Sequence, residues 1–135
     1  MRADRVKSGM LVKDDEGVWQ VVVDRRGPAC LVYANGHEEW GQPDDDVEAV
    51  RLTAPQVEAL RRAATGNLWR LQRAKDDRWT WKFGGLIHTT IPQGPSTHCV
   101  DLGLIEISGT EPRHEFYRLT PSGRALLDLL DKETV

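Results

Sequence analysis

Cationic and aromatic side chains interleave between residues 61 and 82. Seven Lys and Arg (Arg61, Arg62, Arg70, Arg73, Lys75, Arg78, Lys82) stand against Asp76 and Asp77, a local net of +5, with Trp69, Trp79 and Trp81 among them. Guanidinium and ammonium groups hold phosphate, and aromatic rings stack on bases, so this mixture can engage nucleic acid. A solvated charged face is the plainer alternative. A second group lies upstream: Trp19, Tyr33 and Trp40, followed by the run Asp44-Asp45-Asp46. Three rings can enclose a ligand cation, or they can fill a small core. The Asp run lacks the alternating oxygen spacing of a calcium loop and reads as a polar turn. There is no phosphate loop, nucleophile elbow or His-Glu-x-x-His. Cys30, His37, His98 and Cys99 lack zinc-site spacing, and Cys99 has no evident base to activate it. Neither catalysis nor a bound cofactor or metal is expected.

The 135 residues, 39% hydrophobic and 29% charged, suit one ordinary domain or two very small ones. Net charge is −3, unevenly spread: residues 1–53 carry −4 and residues 54–135 carry +1. From Phe83 to Pro112 there is no Lys or Arg. A wholly basic nucleic-acid binder is excluded, while a local basic patch is not. No apolar run nears the roughly 20 residues that span a bilayer, and MRADRVKSGM lacks the apolar segment of a secretory signal. Two cysteines fit a reducing, cytoplasmic setting.

Residues 1–53 read as one small β domain. Short runs rich in branched and aromatic residues (10–13, 18–23, 30–33, 38–40, 47–52) are split by turn residues, including Asn35-Gly36. Such spacing predicts a curled sheet or small barrel. Gly9-Met10-Leu11-Val12, Gly17-Val18-Trp19-Gln20-Val21-Val22 and Tyr33-x-x-Gly36-x-x-Glu39-Trp40 resemble the SH3-like barrels of Tudor and KOW type. The resemblance implies a module that binds peptides, nucleic acid or other proteins.

Residues 54–135 read as a second domain. Thr53 caps a helix carrying Val57, Leu60 and Ala64 on one face, ended by Gly66-Asn67. Residues 68–73 and 78–83 flank a turn at 74–77 and predict a hairpin. Period 2 puts Trp79, Trp81 and Phe83 on one face and Trp69 and Leu71 together, predicting an apolar face and a basic face. Residues 84–95 resist assignment, 96–102 predict a short helix, and 104–108 with 115–119 predict two strands around a loop. Thr120-Pro121 opens a last helix bearing Leu126, Leu127, Leu129 and Leu130.

Leu102-Gly103-Leu104-Ile105-Glu106 and Tyr117-Arg118-Leu119-Thr120-Pro121-Ser122-Gly123-Arg124 resemble winged helix-turn-helix proteins, especially MarR-like regulators. The implied fold is α+β: a small barrel, then a winged helix with an extended hairpin. The implied function is regulator-like binding of double-stranded DNA. Its recognition helix would offer Thr97, His98 and Asp101 without Lys or Arg, so Arg70, Arg73, Lys75, Arg78, Lys82 and Arg113 are the expected phosphate contacts. The alternative is a protein-interaction module of phage or mobile-element type, an inhibitor or adaptor, docking through Trp19, Tyr33, Trp40 and Asp44 to Asp46. The last helix's leucines leave a homodimer open.

Overall fold

The computed structural model describes residues 1–133. Those residues form an α+β structure of two antiparallel five-stranded sheets and three α-helices. Two compact units separate: residues 1–52 with those from Arg124 onward, and residues 53–123. The last helix, from Arg124 onward, groups with the first unit. No helix among the described residues is long and apolar enough to cross a membrane.

In the first unit, β1 (Leu11–Lys13), β2 (Trp19–Arg25), β3 (Cys30–Tyr33), β4 (Glu38–Trp40) and β5 (Ala49–Val50) lie in the order β4-β3-β2-β1-β5. The expected closed barrel does not form. Strands β4 and β5 are three and two residues long and remain the two edges. The chain between them bonds instead to the N-terminal residues: Ala3 N donates to the Asp45 carbonyl at 2.8 Å and Val47 N to the Met1 carbonyl at 2.8 Å. Val6, Met10, Val12, Val22, Leu31 and Tyr33 make the core, with Val47 and Ala49 against it. At the β1–β2 turn Asp14 accepts from Gln20 Nε2 and from the backbone N–H of Val18 and Glu16. Those bonds, the Gln20 side chain's first, hold its carboxyl below the usual value.

The second unit begins with α1 (Ala54–Ala64). Thr53 Oγ1 accepts from Gln56 N while Gln56 Oε1 accepts from Thr53 N, a reciprocal cap. Next come β6 (Leu68–Gln72), β7 (Trp79–Gly84), β8 (His88–Thr90), α2 (Gln93–Asp101), β9 (Ile105–Glu111) and β10 (His114–Leu119); α3 (Pro121–Glu133) starts here and, from Arg124, groups with the first unit. The sheet order is β8-β7-β6-β10-β9. Helix α2 starts three residues before the expected helix. Pro92 and Pro95 frame its first turn, where N–H groups have no intrahelical partner and proline costs little. Helix α3 is capped by Thr120 Oγ1, which accepts from Gly123 N at 3.0 Å.

The expected apolar and basic faces of the hairpin do not form. The register sets Arg70 opposite Trp81, Gln72 opposite Trp79 and Trp69 opposite Lys82. The aromatic sets of β6 and β7 thus lie on opposite faces. Within one strand the faces follow from period 2, but their match across strands follows from the turn, and one residue of slip reverses it. Arg73 N donates to Arg78 O, which sets the closing pair. Helix α1 packs on β10, and α2 on β7 and β9. The face with Leu68 and Trp81 carries the buried core, together with Tyr117 from β10.

Two glycine substitutions test this packing in opposite directions. A Cβ on Gly123 would stand 2.1 Å from the Leu104 carbonyl oxygen, a backbone atom that cannot yield freely. Gly123→Ala is expected to destabilise by about 1–3 kcal/mol in urea unfolding. A Cβ on Gly109 of β9 meets nothing within 4 Å. Gly109→Ala is expected to stabilise by about 0.5–1 kcal/mol; the reverse order would contradict the packing.

Candidate nucleic-acid interface

Arg70 is held inside the second unit. Its Nη2 lies 2.9 Å from Glu115 Oε1, with the two side chains 26% and 14% exposed. The guanidinium carbon stands 4.4 Å from the centre of the Trp79 ring, and 5.6 Å from those of Trp81 and Tyr117. Guanidinium stacks well on aromatic faces while its edge donates to carboxylate, so one side chain satisfies both demands. Tyr117 OH donates to Glu115 Oε2 at 3.3 Å, and burial pushes its phenol up to about 12, against the opposing pull of Arg70. Arg70 is thereby committed to the fold, although the sequence groups it with the phosphate contacts.

Four of the other expected cations gather at one end of the sheet. The β6–β7 turn carries Arg73, Lys75 and Arg78, and the β9–β10 turn carries Arg113. The turns lie side by side: Gln72 N donates to the Arg113 carbonyl at 2.8 Å. Arg113 Nη1 lies 3.5 Å from Asp77 and Arg73 Nε lies 3.5 Å from Asp76. Arg113 and Asp77 both have positive φ, 60° and 57°, fixing tight turns. Exposed ion pairs of this kind are worth about 0–1 kcal/mol, so phosphate can displace the carboxylates at small cost. Lys82 lies further along β7, its Nζ 2.6 Å from Thr90 Oγ1.

The face away from the helices holds a set of rings that the sequence does not bring together. Trp69 pairs in register with Phe116 and with Lys82, His114 with Leu71, and His88 with Gly84, so these side chains share one face. Trp69 meets His88 edge-on with ring centres 4.9 Å apart and His114 at 5.6 Å, while His114 and Phe116 stack at 6.3 Å. Together they line a groove of about 410 Å³, rimmed by Asn67, Glu111 and Leu86. Trp69 Nε1 donates to the Gly84 carbonyl at 2.9 Å, fixing the indole. His114 Nδ1 lies 2.8 Å from the Pro112 carbonyl, which only accepts, so Nδ1 carries a proton. Leu86 and Ile87 at the β7–β8 turn are 103% and 93% exposed, an unusual setting for two adjacent aliphatics. Trp69, His114 and Phe116 follow period 2 within their strands, but only the cross-strand register brings them together.

On α2, His98 and Asp101 are exposed, while Thr97 is half-buried and accepts from Trp81 Nε1 at 3.2 Å. Cys99 lies against α1, its Sγ 3.5 Å from the Gln56 carbonyl, and burial pushes its thiol up to about 12. The thiolate needed for nucleophilic attack is therefore scarce at neutral pH.

In the first unit, Tyr33 is a core residue whose OH donates to Glu39. Tyr33 and Trp40 line one groove of about 360 Å³, whose walls do not include Trp19. Trp19 instead lies under the Lys13 ammonium, 5.7 Å from the ring centre. Trp40 is 69% exposed. Asp45 Oδ2 accepts from Gln42 N at 2.8 Å, and Asp46 Oδ1 lies 2.9 Å from the N-terminal ammonium. Those two carboxylates hold the chain's own N–H groups, and all three Asp are exposed.

No family model matches the chain, and neither a curated protein nor a solved structure does.

Arg70→Ala is expected to cost about 2 kcal/mol in urea unfolding, because it strips Glu115 of its ion pair in a half-buried site. A loss under 0.5 kcal/mol, about the scale of an ordinary surface substitution, would contradict the assignment. Cys30 and Cys99 are both buried. Neither thiol is expected to react with a disulfide reagent in the folded protein at pH 7.5, and both should react after denaturation; rapid labelling of the folded chain would refute this.

Proposed function

We propose that this chain is a non-enzymatic nucleic-acid-binding protein that holds phosphates at the turn end of its second sheet. The carrying observation is the side-by-side placement of the β6–β7 and β9–β10 turns, which gathers Arg73, Lys75, Arg78 and Arg113. The scaffold reading is winged-helix-like. It is supported by the strand order β6-β10-β9, with α1 preceding it and α2 leading into the β9–β10 hairpin. Strands β7 and β8 occupy the place where such proteins carry the helix before the recognition helix. Because α2 offers no Lys or Arg, sequence readout in the major groove is not part of the proposal. Phosphate contacts position a strand without reading it, so binding should be salt-dependent and weakly specific.

A second reading concerns the first unit. Its groove beside Trp40 is walled by Asp15, Glu39, Asp45, Asp46 and Glu48 with only Lys13 in opposition. That charge, and an exposed tryptophan at its rim, favour docking of a Lys- and Arg-rich segment of a protein partner. The open order β4-β3-β2-β1-β5 is compatible with an SH3-like module in that role.

Fluorescence anisotropy against random duplex across a salt series tests the first reading. Four phosphate contacts predict a slope of log K against log salt of about −3 to −4. The triple change Arg73→Glu, Lys75→Glu and Arg78→Glu should flatten that slope by about 2–3 and weaken binding at every salt concentration. Equal affinity in the triple variant would sink the assignment. For the second reading, titration with oligolysine should give binding that Trp40→Ala weakens; no binding at low salt would dispose of it.

A further inference from the structure

We propose that the groove between Trp69, Phe116, His88 and His114 receives an unpaired nucleobase of a bound single strand. The inference rests on the nucleic-acid reading above and adds what the strand offers to the sheet. The groove is on the face opposite α1 and α2, so neither helix of this unit fills it. Its walls are rings at centre separations of 4.9 to 6.3 Å, the spacing at which aromatic groups pack on one another. His114 and Phe116 are nearly parallel, at 10°, so a further planar ring can lie on that pair. Every base has a π-face, so such a platform tolerates any sequence.

The rim of the groove favours a ring carrying N–H donors. Glu111 places there a carboxylate, which only accepts. Adenine, cytosine and guanine bear exocyclic amino groups that can donate to it. Glu111 repels phosphate, so the backbone must run elsewhere, and the cations say where. Lys82 stands beside Trp69 on the same face, and Arg113 directly precedes His114 in the chain. Arg73 comes four positions after Trp69; at about 3.3 Å per strand residue, Trp69 lies roughly 13 Å from the β6–β7 turn, while His114 adjoins the β9–β10 turn. A short stretch of strand can therefore place a base in the groove and its phosphates at the turn end. A duplex cannot, because its bases are already stacked and paired. Leu86, fully exposed at the rim, extends the apolar wall toward the sugar.

The test has two arms, both on the full chain. In the first, adenosine, which has no phosphate, is titrated into labelled protein and followed by NMR; the Trp69 indole N–H is bonded to Gly84, which slows its exchange. Its resonance and those of His88 and His114 are expected to shift, with little change at the β6–β7 turn. In the second, anisotropy compares a 15-mer mixed-sequence single strand with the matching duplex. The single strand is expected to bind at least fivefold tighter. Phe116→Ala should bring that ratio near one while leaving the salt slope intact. Because Phe116 is half-buried and its loss can disturb folding, Leu86→Glu supplies a variant at a fully exposed site, expected to weaken single-strand binding about threefold or more without moving the melting temperature. A ratio near one in the parent chain, or a ratio that neither variant alters, overturns the groove while salt-dependent binding keeps the phosphate reading. If neither polymer binds at low salt, the phosphate reading falls and this inference falls with it. Shifts produced by an apolar peptide but not by adenosine would assign the face to a protein partner and overturn the proposal.

Discussion

The Arg70 guanidinium, 2.9 Å from Glu115 and stacked 4.4 Å from the Trp79 ring centre, fixes which way the second sheet faces. Arg70 is on β6, Glu115 on β10, and Trp79 and Trp81 on β7, so one side chain ties three neighbouring strands in a single register. A slip of one residue would move Arg70 to the open side and leave Glu115, 14% exposed, without its cation. The opposite arrangement, with Trp69 inside and Arg70 outside, would forfeit the ion pair and the stacking together. The turn closes the pair that sets the register, and this polar interaction placed among aromatic residues holds it.

That choice has a consequence on the other face. Once Trp81 and Tyr117 turn toward the helices, Trp69 and Phe116 must turn away from them, and β8 and β10 bring His88 and His114 alongside. The rings gain partial burial from one another and from the indole bond to Gly84. They are left as a half-buried aromatic surface on an otherwise charged small unit. Gly84, with φ of 123°, makes the turn into β8 possible: a Cβ there would stand 2.5 Å from the Ile87 carbonyl. The same turn pushes Leu86 and Ile87 into solvent. The stable inner face, the open aromatic face and the exposed tip are consequences of one strand alignment.

Much of this architecture was legible in the residues. Thr53 with Gln56, and Thr120 before Pro121, announced two helix starts because capping chemistry is local. Asn35-Gly36 marked its hairpin for the same reason, with Gly36 at φ 84°. Strands β2, β3, β6 and β7 followed from branched and aromatic runs between turn residues. What escaped was non-local. Barrel closure depended on whether β4 could reach β5, and residues 1–4 took the bonds in between. Strand β8 has no apolar pattern, since His88, Thr89 and Thr90 are all exposed. The candidate site depends most on register, which turns Arg70 toward Glu115 and leaves Trp69 half-buried on the face away from the helices.

The most direct test of the account is photo-crosslinking of a halogenated single-stranded oligonucleotide to the protein, with mass spectrometry to map the adducts. The account predicts adducts on Trp69, Phe116 or His114. Adducts confined to Thr97 and His98 of α2, or to the first unit, would contradict it.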